Sequence, residues 1–341
     1  MPAIPLIRQY VYAQVTSTLE LMNADVERTL AKHSIPDWRD LGGNEVVPVV
    51  HFMKALEAGA RATGEETFSM RVSEQHGLDS FADFGKAIQS GITVYDAMNI
   101  ACRLIATQVP TLKWWVSKKK GGVLLCRKQS VQSPGLEQPL MFLERYTMLL
   151  FVNIIRTGAG SDWSPTRVYL STQKDDVFSE WSEFEDASIV FDAPCSAIFV
   201  PNEVLFLPVR DQPIPPKEKN AVINKQFARD ELGEDFVHDL RLLLKSLLHQ
   251  KSANLRTLSE VSLISQRTLQ RRLADKGQSF QMILDQARFQ NAVEILENPG
   301  ATVSETSELL GYEHPQHFIR AFRKWAGITP GQYKQIQART I

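Results

Sequence analysis

The residue pattern predicts a mixed α+β N-terminal domain followed by an all-α C-terminal domain, in which two helix-turn-helix units are joined by a linker helix. Three observations carry this. Strand-like and helix-like apolar spacings both occur in the first two hundred residues, and only the helical one continues beyond Phe236. The stretch PVRDQPIPPKEKN (Pro208–Asn220), rich in proline and charge, has the composition of a linker. Near the C-terminus the spelling LQRRLADKG (Leu269–Gly277) returns as FIRAFRKWAG (Phe318–Gly327). At 341 residues the length suits two or three domains. The expected boundaries are 1–210 for the first domain, 211–233 for the linker and 234–341 for the helical domain. Within the last, the units fall at about 254–276 and 302–326, with the joining helix at about 279–297.

In the first domain, VVPVVHFMKALEAGARATG and DFGKAIQSGITVYDAMNIACRLIA carry helical apolar spacing. TLKWWVS and GVLLCRK flank KKKGG and read as a hairpin with Gly121–Gly122 in the turn and Lys118–Lys120 in solvent. A helix is expected around Leu136–Ile155. Its run YTMLLFVNII is half the length needed to cross a bilayer and is flanked by Glu144, Arg145 and Arg156. The runs TRVYLS, SIVFD, AIFVP and EVLFLPV then read as short strands. Asp175–Asp176 and Glu183–Asp186 read as solvated acid surface rather than a carboxylate pair. Trp114, Trp115, Phe142 and Tyr146 read as aromatic core, with a ligand cavity among them as the alternative.

Composition removes several classes of function. Cys102, Cys126 and Cys195 have no metal-ligand spacing and no disulfide framework, so they are expected as reduced thiols. No HExxH, GxSxG, P-loop or glycine-rich dinucleotide fingerprint occurs, and the seven histidines are scattered. No catalytic residue, metal site or cofactor is therefore expected, and the protein is not expected to be an enzyme. The first fifteen residues lack an apolar core after a basic start, so no signal peptide is expected and the expected location is cytoplasmic. The formal charge of −1 conceals an asymmetry: residues 252–341 hold 11 Lys+Arg against 8 Asp+Glu.

The doubled motif is the most informative feature. NLRTLSEVSLISQRTLQRRLADKG predicts a helix capped by Asn254, a break near Leu263–Ile264 and a second helix capped by Ser265. There Leu269 and Leu273 face inward, while Arg267, Gln270 and Arg271 share another face. TVSE (Thr302–Glu305) spells a capping box, Gly311 supplies a turn, and Pro315 suits a first helical position. Phe318, Phe322 and Trp325 form the apolar stripe, and Gln316, His317, Arg320 and Lys324 share the other face. Leu269 to Phe318 and Arg271 to Arg320 are both 49 residues apart (318 − 269 = 49), the mark of an internal duplication. An α-helix fits the major groove, where arginine pairs with guanine and glutamine with adenine. Two such helices about 34 Å apart would enter successive grooves of one duplex face. Helix N-termini at Ser265, with Thr268 beside it, and near His314 would meet phosphates.

These C-terminal residues resemble the AraC/XylS family of bacterial transcription regulators. The resemblance rests on Gly311–Tyr312, on Phe318–Arg320–Phe322, and on Gly327, Thr329, Pro330 and Tyr333, and it covers about the last hundred residues. Ser259 and Ser307 stand where alanine is usual, Gln316 where serine is common, and Leu263 where glycine is frequent. The segments DFGKAIQSGITVYDAMNIACRLI and SIVFDAPCSAIFVPNEVLFLPVRDQPI are similar to the "arabinose-binding-like" N-terminal effector domain of one subgroup. The resemblance implies a sequence-specific DNA-binding regulator, expected as an activator and controlled through residues 1–210, which sense an effector and dimerise. Its expected partners are double-stranded DNA, RNA polymerase, a small-molecule effector of unknown identity and a second copy of the chain, with no membrane. The DNA-binding residues expected are Ser265, Arg267, Thr268, Gln270 and Arg271 in the first unit, and Gln316, His317, Arg320 and Lys324 in the second. The alternatives are an enzymatic N-terminal domain tethered to DNA and a ligand-independent architectural binder. The near-neutral net charge disfavours the latter.

Overall fold

In the computed structural model the chain divides into two units, residues 1–234 and 235–341. The structure describes residues 3–131, 133–209, 232–233, 235–298 and 300–340, the last four by backbone alone. Of the linker expected at 211–233, all but residues 232–233 lies outside the described residues.

The first unit mixes helix and sheet. β1 (Leu6–Arg8) pairs antiparallel with β2 (Val46–Pro48) as a short ribbon. It brackets α1 (Gln9–Leu21) and α2 (Val26–Lys32) and leads into α3 (Val49–Thr63). So the run VVPVVHFMKALEAGARATG opens as strand before turning helical at Val49. Then come α4 (Phe68–Gln75), α5 (Ala82–Gln89) and α6 (Val94–Leu104). The hairpin of β3 (Leu112–Lys119) and β4 (Gly122–Gln129) precedes the long α7 (Glu137–Ala159). The chain returns through β5 (Arg167–Tyr169), α8 (Asp176–Ser179), β6 (Ser188–Val190), β7 (Ser196–Pro201) and α9 (Asn202–Leu205). The sheet order is β3-β4-β7-β5-β6, antiparallel except for β5 with β6. α7 is apolar nearly all round, as a helix enclosed on all sides must be; it packs on α3, α4, α6 and β7.

Four sequence expectations are corrected here. EVLFLPV is not a strand: Asn202–Leu205 is helical, because Val204 and Leu205 point inward in succession while Phe206 is 73% exposed, a pattern that does not alternate. The hairpin loop is Lys120–Gly121. Gly121 takes φ 84°, whereas Gly122 lies in β4, where a Cβ would sit 2.2 Å from the Val200 carbonyl oxygen. Asp175 is not solvated acid but buried. Arg145 donates to it through Nε (2.7 Å) and Nη2 (2.6 Å), a bidentate pair whose partners are thirty residues apart in sequence. Glu183 likewise leaves solvent to pair with Arg156 at 3.0 Å, which holds its carboxyl below the usual range despite partial burial.

The second unit, among its described residues, is helical throughout: α10 (Phe236–His249), α11 (Leu255–Ser262), α12 (Gln266–Ala274), α13 (Phe280–Glu297), α14 (Val303–Leu309), α15 (Pro315–Ala326) and α16 (Pro330–Thr340). α13 is the brace, packing against α10, α14 and α16. It buries Ile283, Leu284 and Ala287 in its first half and Ala292 and Leu296 in its second. α16 was not anticipated. Its signal is TPGQ: Thr329 Oγ1 accepts from the Gln332 N–H (3.3 Å) while Gln332 Oε1 accepts from the Thr329 N–H (2.9 Å), a reciprocal cap ahead of Pro330.

Candidate nucleic-acid interface and N-terminal cavity

The first helix-turn-helix is positioned by its caps. Asn254 Oδ1 accepts from the Thr257 N–H at 2.9 Å and starts α11. α11 stops at Leu263, which is left-handed (φ 56°, ψ 29°), and the Ile264 N–H returns to the Ser259 carbonyl at 3.3 Å. Ser259 Oγ donates to the Ile264 carbonyl at 2.7 Å, which locks the turn. Ser265 then caps α12, accepting from the Thr268 N–H (3.3 Å) and donating to Thr268 Oγ1 (2.9 Å). Both hydroxyls expected at DNA are therefore engaged in the cap. Leu269 and Leu273 are fully buried, which leaves Arg267, Gln270 and Arg271 on the exposed face.

The second unit repeats this with other residues. The Thr302 capping box is complete: Glu305 accepts from the Thr302 N–H at 2.8 Å, and Thr302 Oγ1 accepts from the Glu305 N–H at 3.1 Å. Those hydrogen bonds to the carboxylate lower the Glu305 pKa. Gly311 takes the left-handed position (φ 75°), and the Tyr312 N–H returns to the Ser307 carbonyl at 3.0 Å. α15 begins at Pro315 with His314 at the N-cap, whose side chain makes no capping bond. Phe318 and Phe322 are fully buried and pack with Phe289, Tyr312 and Tyr333 at ring-centroid distances of 5.5–5.7 Å. Gln316, His317, Arg320 and Lys324 are exposed. Equivalent residues are 48 apart up to the turn (Ser259 and Ser307, Leu263 and Gly311) and 49 apart after it, so the second turn holds one extra residue.

The cations of this unit sort into two groups. Arg256 pairs with Glu260 (3.0 Å), Lys251 with Glu308 (3.1 Å) and Lys276 with Asp235 (3.8 Å). Arg272 lies over Phe236 (5.3 Å) and Arg288 over Tyr312 (4.7 Å), which turns both inward. Arg267, Arg271, Arg320, Arg323 and Lys324 make no ion pair among the described residues. Two of these sets, Arg267/Arg271 and Arg320/Lys324, are like charges at i,i+4, an arrangement that destabilises a helix unless an anion faces it. Arg323 is absent from the residues expected from sequence; it stands three residues after Arg320, so the i,i+3 rule would have found it.

The first unit holds a cavity of about 740 Å³ bounded by the end of β4, the start of α7 and the loops at 171–174 and 192–195. It is not lined by Trp114, Trp115 or Tyr146. Trp114 packs edge-on to Phe151 (4.8 Å) and the Tyr146 hydroxyl donates to Gln14 Oε1 (2.7 Å), both as core; Phe142 faces a smaller hollow of about 390 Å³. Arg127 and Glu144 are the buried charges of the larger cavity, 3% and 2% exposed. Burial lowers the Arg127 pKa and Glu144 opposes that shift. Cys126 lies near Cys195, and burial together with that neighbour pushes its thiol up to about 12. No group of three or more His, Cys, Asp or Glu that could hold a metal occurs among the described residues, and none of their helices is long and apolar enough to cross a membrane.

Comparison with known proteins supplies a context for both sites. A family model described as "Arabinose-binding domain of AraC transcription regulator, N-term" matches residues 24–209, and one described as "Helix-turn-helix domain" matches residues 258–336. The HTH-type transcriptional regulator VirS of Mycobacterium tuberculosis is 23% identical over 326 residues, which cover 94% of this chain and 93% of VirS. An uncharacterised HTH-type transcriptional regulator of the same species is 38% identical over 96 residues, only 27% of this chain and 28% of that relative. The crystal structure of the transcriptional regulator CdpR from Pseudomonas aeruginosa aligns over 91% of this chain and 96% of that one, at 20% identity and a TM-score of 0.40.

Proposed function

The chain belongs to the AraC family of DNA-binding transcription regulators and carries that family's N-terminal effector domain, and we propose that it is an activator reading two adjacent major-groove segments of double-stranded DNA. The observation that carries this reading is the pair of exposed faces in matching register, Arg267/Gln270/Arg271 on a helix capped by Ser265 and Gln316/His317/Arg320/Lys324 on a helix entered through Pro315. Arginine, glutamine and histidine exposed on such faces are groups that bond base edges and phosphates. Ser265 and Thr268 contribute through the helix N-terminus that they cap, where backbone N–H groups meet a phosphate. Residues 1–210 sense the effector and pair two copies of the chain, 211–233 link, and 234–341 read DNA. The bound activator works with RNA polymerase in the cytoplasm.

Selection of bound duplexes from a genomic library by the full-length protein tests this. Two base-specific blocks about one helical turn apart are expected. Recovery of a single block, or affinity that follows salt alone with no base preference, refutes two-segment reading. Sedimentation tests the pairing: a monomer at micromolar concentration, with and without DNA, refutes the dimer.

A further inference from the structure

A guanidinium stays charged when buried and presents five N–H donors that must find acceptors. The guanidinium of Arg127, in β4, makes no hydrogen bond among the described residues, and its buried Nε has no partner. Among the described residues its ion-pair neighbour is Glu144, with Nη1 4.0 Å from Oε1, beyond hydrogen-bonding distance. Glu144 is already occupied. Its Oε1 accepts from the Ser171 N–H (2.9 Å), from Ser171 Oγ (2.7 Å) and from Ser196 Oγ. Its Oε2 accepts from the Thr172 N–H (3.3 Å) and from Thr172 Oγ1. These five donors meet a group with about four lone-pair sites, so Glu144 is satisfied without Arg127 and has no acceptor left for a ligand cation. A second orphan donor stands two residues along the same face of β4. Gln129 Nε2 is buried without a partner, while its Oε1 accepts from the Ser130 N–H at 2.9 Å. Both side chains line the 740 Å³ cavity, which also offers apolar wall at Leu140, Met141 and Pro194.

We infer that this cavity binds a small molecule bearing one carboxylate, whose oxygens accept from Arg127 and Gln129 while an apolar body lies against Leu140 and Met141. The inference rests on the reading of residues 1–210 as the effector-sensing domain. A carboxylate supplies the two acceptors that the two donors lack. A dianionic phosphate is disfavoured because the Glu144 charge stands beside Arg127. Lys128, Lys174, Glu137 and Asp192 also line the cavity, balanced in sign, and Lys174 is tied to Asp176 at 2.9 Å. These lie nearer solvent, so the buried arginine sets the charge of the ligand.

The test uses matched probes on the full-length protein: hexanoate against hexanamide and benzoate against benzamide, titrated calorimetrically at up to millimolar concentration without DNA. Each acid is expected to bind about tenfold or more tightly than its amide, the size of one charge-assisted pair. Arg127→Gln should erase that preference. Ala193→Trp, which fills the cavity and leaves Arg127 in place, should block both probes, and melting curves of the unliganded variants verify that each folds. Equal binding of acid and amide, no binding of either acid, or a preference that survives both folded variants overturns the inference. The two readings fail separately. If the duplex selection recovers an operator but no acid binds, only the carboxylate site is lost. If an acid binds with the expected preference but leaves operator occupancy unchanged, the site stands and control through it is lost.

Discussion

The two helix-turn-helix units reach one backbone plan by different chemistry. The first turns on a left-handed leucine, caps its recognition helix with a serine and buries Leu269 and Leu273. The second turns on glycine, enters its recognition helix through a proline with no side-chain cap, and buries aromatic rings. Aligned at 49 residues, Arg267 stands opposite Gln316, Thr268 opposite His317 and Gln270 opposite Ile319; only Arg271 and Arg320 agree. The scaffold is thus repeated while the exposed face is not, so under the proposed two-segment reading the copies suit two different short base sequences rather than a direct repeat.

The largest effect that can break this comparison is in the cores. Phe322→Ala should destabilise the second unit by about 3–5 kcal/mol and Leu273→Ala the first by about 2–5 kcal/mol. Amide hydrogen exchange should show protection lost in α14–α16 for the former and in α11–α12 for the latter. Loss spread over both units by either change means that they are one cooperative body. Next come the shared arginines: Arg271→Ala and Arg320→Ala should each weaken operator binding by about 1–3 kcal/mol, with base preference relaxed in different blocks. Competition binding against single-base operator variants measures this, and relaxation in the same block by both mutants is the contrary outcome.

The turns come third. Gly311→Ala should lower local stability by about 1–2 kcal/mol from left-handed strain alone, since a Cβ there meets nothing within 4 Å. Leu263→Ala keeps its strain and should shift exchange by less than about 1 kcal/mol, the value of a half-buried side chain. The smallest effect separates the caps by pH. Glu305 has a lowered folded pKa, so its contribution is present above the unfolded value of 4.5 and fades as pH falls. Asn254 does not titrate. Exchange protection, corrected for the intrinsic pH dependence of the amides, should therefore fall in mild acid more at the start of α14 than at the start of α11.

Local signals were legible in sequence; signals that need a distant partner were not. The Asn254, Ser265 and Thr302 caps, the Gly311 turn and the two apolar stripes all depend on residues within one or two turns of helix. The burial of Asp175 was invisible because the guanidinium that neutralises it lies on α7, far along the chain. The aromatic core at Trp114 and Tyr146 was legible, whereas the cavity was not, because its walls come from four separate segments. The short α9 was hidden in the apolar run EVLFLPV, whose inward and outward residues do not alternate in the fold.

The joining helix sets a limit on how such a reader can change. α13 runs unbroken from Phe280 to Glu297. Each residue inserted in a helix advances the downstream chain by about 1.5 Å and rotates it by about 100°. A base pair advances DNA by about 3.4 Å, with roughly 10.5 pairs to the turn. The two pitches are incommensurate, so no short insertion in α13 keeps a second reading head both in step and in phase with a widened operator. Under the proposed two-segment reading, the spacing of the two blocks is therefore a fixed gauge, and a new target calls for a change in the letters read rather than in the distance between them.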